Sequence, residues 1–504
     1  MVVKITLLVI FFAIMIAVGI YSRKHATNVN DFVLGGRTVG PWLTAFAYGT
    51  SYFSAVVFVG YAGQFGWKYG IASTWIGLGN AFIGSLIAWV LMGRRTRVMT
   101  QHLQAATMPD FFGKRYNSDA LRIVASAIAF IFLIPYTASV YNGLSRLFGM
   151  AFDIDYSICV IAMAVLTGIY VILGGYMATA INDFIQGIIM LVGIVVVILS
   201  VLGEKGGFTA AVKALAQVES EVQPGAFTSF FGPDPINLVG VIILTSLGTW
   251  GLPQMVQKFY AIKNEKAIKT GTIVSTAFAL VVAGGCYFLG GFGRLFDSAQ
   301  IHNADGSVIY DAIVPSMLST LPDILIGVVI VLVLSASMST LSSLVLTSSS
   351  TLTLDFLKGT LFKDMKDKTQ LLIMRLLIVF FIVISVVIAL DPPTFIAQLM
   401  GISWGALAGA FLAPFLYGLY WKGVTKAAVW ASFIAGVGVT LSNMFIGYIE
   451  SPINAGAIAM IAGLIVVPIV SLITPKLKKE MVDKTFECYD EKVEVTGKTS
   501  LKEK

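Results

Sequence analysis

Apolar runs of about twenty residues recur thirteen times along this chain, and no other feature restricts its fold so strongly. They fall at about 2–21, 41–63, 71–93, 121–145, 156–175, 183–203, 236–257, 272–295, 323–354, 371–390, 394–421, 427–448 and 455–474. An α-helix of about 20 residues matches a hydrocarbon layer about 30 Å thick. Backbone in lipid must satisfy its own hydrogen bonds, so such runs fold as helices. The predicted fold class is an all-α polytopic membrane protein with about thirteen transmembrane helices. Charged residues make up 12% of the chain, about half the roughly 25% usual in soluble domains. The first run carries only Lys4 as a basic residue and ends without a small-residue cleavage site. It reads as a retained helix rather than a signal peptide.

Charge position gives an orientation. Nearly all of the 34 Lys and Arg fall in loops after odd-numbered spans or in the tail. The opposite side holds Lys68, Arg146, Lys205, Lys213 and Arg294. Positive loops face the cytoplasm, which predicts an external N-terminus, a cytoplasmic C-terminus and a multi-pass protein of the cell membrane. The same bias accounts for the net charge of +7 without a nucleic-acid partner. Residues 476–504 are charged and poor in apolar side chains, which predicts a loose cytoplasmic tail. The external loop 204–235 has a short helical pattern around Ala210–Val218. Cys159, Cys286 and Cys488 form no disulfide framework or zinc spacing. The histidines, His25, His102 and His302, all sit in loops, so the spans lack the means for histidine-based metal chemistry.

Polar groups at depth point to function. Span 9 carries Ser335-Ala336-Ser337-Met338-Ser339-Thr340-Leu341-Ser342-Ser343 after a purely apolar stretch. Hydroxyls and freed carbonyls suit a hard cation, which takes oxygen ligands. Ala336, Ser339 and Thr340 stand at i, i+3 and i+4 on one helix face; Ser339, Ser342 and Ser343 repeat that spacing on an adjoining face. Two clusters thus share Ser339, although close packing and bonds to the helix's own carbonyls would explain such residues equally well. Spans 2 and 7 contain breakers near their middle: Tyr48-Gly49-Thr50-Ser51 in one, Gly248-Thr249-Trp250-Gly251-Leu252-Pro253 in the other. Glycine permits unwinding and proline removes a donor. Broken helices at matching positions of two halves point to a transporter site, and a five-span offset makes 2–6 and 7–11 inverted repeats. Asp183 begins span 6 and is the most nearly intramembrane carboxylate; a helix start also favours an acidic residue through the macrodipole.

Four segments together resemble the sodium/solute symporter family, which includes proline, pantothenate, monocarboxylate, sialic acid and sugar symporters. They are Asn30-Asp31-Phe32-Val33-Leu34-Gly35-Gly36-Arg37, Gly174-Gly175 with Asn182-Asp183-Phe184-Ile185-Gln186-Gly187, Met338-Ser339-Thr340-Leu341-Ser342, and the run from Gly405 to Pro414. The resemblance covers about residues 1–475. It implies a LeuT-type fold in a single transporter domain, 1–475: a leading helix 2–21, repeat one about 41–203, repeat two about 236–421, and two trailing helices within 427–474. It implies a sodium site from the carbonyls of Thr50, Phe53 and Ala336 and the hydroxyls of Ser339 and Thr340. A second sodium site, present in some members, matches Asp183, Ser339, Ser342 and Ser343. Two sodium ions per cycle are therefore expected. A monovalent cation crossing 100 mV is worth ~2.3 kcal/mol and a tenfold gradient about 1.4 kcal/mol. One ion then supports roughly 500-fold accumulation and two roughly 10⁵-fold.

The resemblance puts the substrate between the breaks, lined by spans 4 and 11. The expected contacts are Tyr52, Ser54, Tyr136, Thr249, Trp250 and Gln254, with Trp404 beside them. No Lys or Arg is expected deep in a span, so a substrate carboxylate would rely on half-helix N-termini and sodium. Tyr136 matches a tyrosine of proline symporters, but those carry Asp where this chain has Tyr52 and Trp where it has Val56. Gly248–Gln254 and Gly291–Arg294 are closer to pantothenate symporters. The expected function is sodium-coupled import of a small carboxylate or amino acid, with proline, pantothenate and monocarboxylates as choices. A transporter-like membrane sensor and a sodium-conducting channel are the alternatives. The short tail leaves little room for a sensor's output domain, and a channel has no need of paired breaks. An enzyme would need a reactive constellation that Asp183 alone does not supply. The expected partners are the solute, sodium and the lipid bilayer, with no obligatory protein partner.

Overall fold

The computed structural model describes residues 2–490 apart from 24–26, 52, 153–154 and 392–395. Within them the chain is helical, with only isolated β-bridges at Val39–Ile262 and His302–Val308. Among the described residues ten helices are long and apolar enough to cross a membrane, eleven when the bent pair Pro235–Gly251 and Pro253–Tyr260 counts as one span. Over their described residues the thirteen predicted runs are mainly helical. The lower count arises because helix 56–102 contains the end of span 2 together with span 3, and because Tyr156–Ile169 is a short apolar helix.

Span 9 lies deep in the molecule. Its helix runs Asp323–Thr351 and continues in a wider helical coil to Leu361. Every residue from Leu332 to Thr351 is buried. Spans 4, 5 and 6 pack on it, and spans 11, 12 and 13 form a mutually packed group to one side. The leading helix Val2–Ser22 lies at the periphery against spans 6 and 9. Its exposed Val2, Val9, Ile10 and Ile20 suit a surface that faces lipid.

Spans 5 and 6 form one path, Tyr156–Glu204, turned sharply at Gly175, where φ is 55° and ψ −148°. A side chain is strained at that φ, and a Cβ there would lie 2.7 Å from the Phe32 ring. The two motifs Asn30–Arg37 and Gly174–Gly187 therefore pack on each other. The turn also moves the start of span 6. Asp183 was expected at the helix start, but it lies eight residues past Gly175, about 12 Å along the axis, and is completely buried. The macrodipole does not account for it there.

Several basic residues in the loops after odd-numbered spans are structural. Arg37 donates to the carbonyls of Tyr260 and Ala105, at 3.1 and 2.5 Å. Arg97 donates to Ile262 O at 2.6 Å, and Arg115 to Gly418 O at 2.9 Å. Each guanidinium satisfies carbonyls left open at helix ends. The expectation of a loose tail is corrected over its first part: Lys479–Phe486 is helical and Glu487–Asp490 forms a further turn. Tyr489 donates to Leu419 O at 2.6 Å, Lys422 pairs with Asp483 at 2.7 Å, and Arg95 stacks on Tyr489. The rest of the tail, 491–504, lies outside the described residues. The loop helix expected at Ala210–Val218 is found at Phe208–Ala216.

A loop outside the spans contains a pH-responsive pair. The Asp297 carboxylate lies 2.7 Å from His302 Nε2 and, by that hydrogen bond, raises the imidazole above its ordinary value. A raised folded value stabilises the loop fully below the unfolded pKa of about 6.5, and that support is lost as pH rises through the folded value. Hydrogen exchange of residues 297–309 is expected to gain a pH-dependent opening above about pH 6.5 beyond intrinsic chemistry. His302→Gln is expected to remove it, and identical profiles for the two proteins would count against this pairing.

Candidate functional site

Both predicted breaks exist. Span 2 is helical over Pro41–Thr50, is out of the helix at Phe53 and Ser54, and resumes as a helix from Ala55. Thr50 and Ser51 turn their hydroxyls back to the carbonyls of Phe46 and Ala47, a pattern that loosens a helix. The N-terminus of the second half is capped from two directions: Ser54 Oγ accepts from Val56 N at 3.2 Å, and Ser337 Oγ of span 9 accepts from Ala55 N at 3.1 Å. Span 7 bends by 46° between Gly251 and Pro253. Leu252 is extended there, with φ −84° and ψ 122°, as a residue before proline must be.

The glycines at the breaks do not unwind the backbone, contrary to expectation. Gly49, Gly248 and Gly251 all lack positive φ. They allow close packing instead. A Cβ on Gly49 would lie 2.7 Å from Phe278, and one on Gly251 would lie 2.7 Å from Ala408 Cα.

The first predicted cation cluster assembles completely. Ser339 Oγ lies 3.1 Å from Thr50 O and 2.9 Å from Ala336 O. Thr340 Oγ1 lies 3.4 Å from Thr50 O, 3.1 Å from Phe53 O and 3.1 Å from Ala336 O. All five residues are buried. Two hydroxyl protons are shared among three carbonyls, so most of these oxygen–oxygen approaches have no proton between them. A cation at the centre would resolve the excess of lone pairs. Oxygens about 2.4 Å from one ion and 80–90° apart are separated by about 3.1–3.4 Å, close to the spacing here.

The second predicted cluster is different. Ser339 Oγ belongs to the first cage, and Ser342 Oγ donates to Ser339 O at 3.0 Å. The remaining two residues, Asp183 and Ser343, face an ammonium group. Lys258 Nζ donates to Ser343 Oγ at 3.0 Å, lies 3.6 Å from Asp183 Oδ2, and sits 5.0 Å from the Tyr176 ring centroid. Lys258 is only 2% exposed. This corrects the expectation that no Lys lies deep in a span: the apolar run ends at residue 257, which places Lys258 in the loop by sequence, whereas the helix continues to Tyr260. Two signals were available in the sequence. Val256, Phe259, Tyr260 and Ile262 surround Lys258 with apolar residues, and a buried carboxylate such as Asp183 needs a counter-charge.

The substrate residues divide. Gln254, at the restart of span 7, is completely buried, and neither amide atom has a hydrogen-bond partner among the described residues. Tyr136 packs edge-on to Trp404, with ring centroids 5.8 Å apart, and Trp404 rests on Gly248, so spans 4, 11 and 7 meet there. Thr249 and Trp250 point elsewhere: they donate to Gly84 O at 3.2 Å and Ile83 O at 3.0 Å of span 3. Ser54 caps the second half of span 2, as described. Tyr52 lies outside the described residues. A separate cavity of about 1580 Å³ opens away from the breaks, near Gln64, Trp67, Lys68, Arg294 and Glu450.

Comparison with known proteins agrees with this architecture. The profile of the "Sodium:solute symporter family" matches residues 32–436. A sodium/proline symporter of Staphylococcus aureus (strain JH9) is 31% identical over 488 residues, covering 94% of this chain and 92% of that protein. The protein of the same name from strain NCTC 8325 / PS 47 shows the same identity and coverage. The solved substrate-bound, outward-open form of a Na⁺-coupled sialic acid symporter, described as having a novel Na⁺ site, matches with a TM-score of 0.76 at 17% identity, covering 94% of this chain and 98% of its own. That likeness establishes the fold as the expected LeuT-type arrangement. With a family profile that spans most of the chain and relatives alike over nearly all of it, this chain belongs to the sodium:solute symporter family.

Proposed function

We propose that this chain imports a small carboxylate or amino acid, driven by sodium entering at the Thr50, Phe53, Ala336, Ser339 and Thr340 cage. The observation that carries this reading is the cage itself, with five buried oxygens and two protons. The cage joins span 2 to span 9, so an ion bound in it ties the two together. A ligand shifts a conformational equilibrium only by its differential affinity for the two states. A cage whose ligands come from two spans supplies that difference whenever the spans separate.

Gln254 and Tyr136 are the substrate contacts best supported by their surroundings. A buried amide without partners is costly, and a substrate carboxylate or amide offset by Gln254 would relieve it. Proline leads the choice of substrate because the curated relatives are sodium/proline symporters, with pantothenate and monocarboxylates following. The charge bias supports an external N-terminus and a cytoplasmic C-terminus, and residues 1–475 act as one transport unit with the inverted repeats at 41–203 and 236–421.

Purified protein in liposomes, offered labelled proline, pantothenate, lactate, acetate and glucose, tests this reading. Uptake of one solute is expected under an inward sodium gradient and not when potassium or choline replaces sodium. Uptake indifferent to that replacement would overturn the reading. Gln254→Ala is expected to raise the solute concentration for half-maximal uptake by roughly 5- to 150-fold, the range for losing a buried hydrogen bond worth about 1–3 kcal/mol. An unchanged value would remove Gln254 from the site.

A further inference from the structure

We infer that Lys258 is a built-in cation in the place of a second sodium, so that this transporter binds one sodium ion per chain. The inference rests on the sodium-symport reading above and concerns its stoichiometry. Three observations carry it. The first is position. Lys258 Nζ is within 3.0 Å of Ser343 Oγ and 3.6 Å of Asp183 Oδ2, between two of the four residues that would otherwise ligate the ion. The second is the state of the other two. Ser339 Oγ already belongs to the first cage, beside Thr50 O and Ala336 O, and Ser342 Oγ gives its one proton to Ser339 O, so neither hydroxyl donates to Asp183. The third is charge. Asp183 accepts no hydrogen bond from another described residue, and Lys258 is the one ion-pair partner it has among them.

The Asp183–Lys258 pair is neutral whichever group holds the proton. Adding sodium here would set two cations against one carboxylate a few ångströms apart, and like charges held close in a buried site are strongly disfavoured. The pair lies one helical turn from the first cage, since Ser343 follows Ser339 by four residues, so a further cation would also repel the ion there. The ammonium is covalently tethered to span 7. It occupies the carboxylate through the cycle without being released on the other side. It therefore contributes structure and charge balance but no ion flux. Ser343 also lies 3.1 Å from Ser51 Oγ at the span 2 break. Lys258 thereby connects span 7 to span 6 through Asp183 and, through Ser343, to span 9 and the broken span 2.

Equilibrium binding of radiolabelled sodium to the purified full-length chain in detergent tests this without knowledge of the solute. The wild type is expected to bind one sodium per chain with a Hill coefficient near unity. Lys258→Met removes the ammonium while keeping a long apolar stem, and is expected to bind a second ion at higher sodium concentration. Asp183→Asn with Lys258→Met, which removes both charges, is expected to return to one ion. Two ions on the wild type would overturn the inference and leave the sodium reading intact. One ion on both wild type and a well-folded Lys258→Met would overturn it too. No sodium bound to the wild type would overturn both readings. If Lys258→Met does not fold, the wild-type count alone decides.

Discussion

Thr340→Ala is expected to raise the sodium concentration for half-maximal uptake by roughly 10- to 150-fold, and Ser339→Ala by a similar factor. The range follows from losing one charge-assisted oxygen contact, about 1.5–3 kcal/mol. Thr340 Oγ1 approaches all three cage carbonyls, so no other hydroxyl substitutes for it. Thr340→Ser keeps the oxygen and is expected to shift the value far less. Ser350→Ala serves as a control on the same helix, because Ser350 Oγ donates to Thr347 O and takes no part in the cage. Sodium-dependence curves of solute uptake in liposomes check the set. If Thr340→Ala and Ser350→Ala gave the same curve as wild type, the cage would not be where sodium binds.

Gly66→Val is expected to abolish or severely reduce recovery of folded protein. A Cβ at Gly66 would lie 2.0 Å from both C and O of Gly290. Ordinary contact begins near 3.5 Å, so the second half of span 2 and the end of span 8 would have to separate by about 1.5 Å. Overpacking commonly costs about 1–3 kcal/mol even where only side chains yield, and here backbone opposes backbone. That same half-helix starts at the cage, so any folded remainder should also show weakened sodium dependence. Gly438→Ala is the matching control, since nothing lies within 4 Å of its Cβ. Alanine in a helix interior is favoured over glycine by roughly 0.5–1 kcal/mol. Thermal stability by size-exclusion chromatography is expected to fall sharply for Gly66→Val and to hold for Gly438→Ala. Equal melting of the two would contradict the close crossing.

Much of the site was legible before any coordinates. The stripe on span 9 follows from helix periodicity, which places Ala336, Ser339 and Thr340 on one face whatever surrounds them. Pro253 announces the break in span 7, because its effect on the preceding residue is local. Less legible was the direction of each side chain. Thr249 and Trp250 sit at the break but turn toward span 3, and Gly49 and Gly251 serve helix contact rather than unwinding. Those choices depend on what packs opposite each residue.

The sequence alone determined that this chain crosses a membrane many times, that spans 2 and 7 are interrupted, and that span 9 carries oxygen at depth. Hydropathy, proline chemistry and helical spacing are properties of neighbouring residues, so they can be read along the chain. Only the tertiary structure decided that the carbonyls of Thr50 and Phe53 meet hydroxyls nearly three hundred residues away, with Ser339 and Thr50 separated by 289 positions. It also decided that Lys258 belongs to the interior. Its position in the chain sits at the edge of a span, where a lysine is ordinarily solvated. Folding brings it to a buried carboxylate on another helix, and the cost of leaving that carboxylate unpaired holds it there.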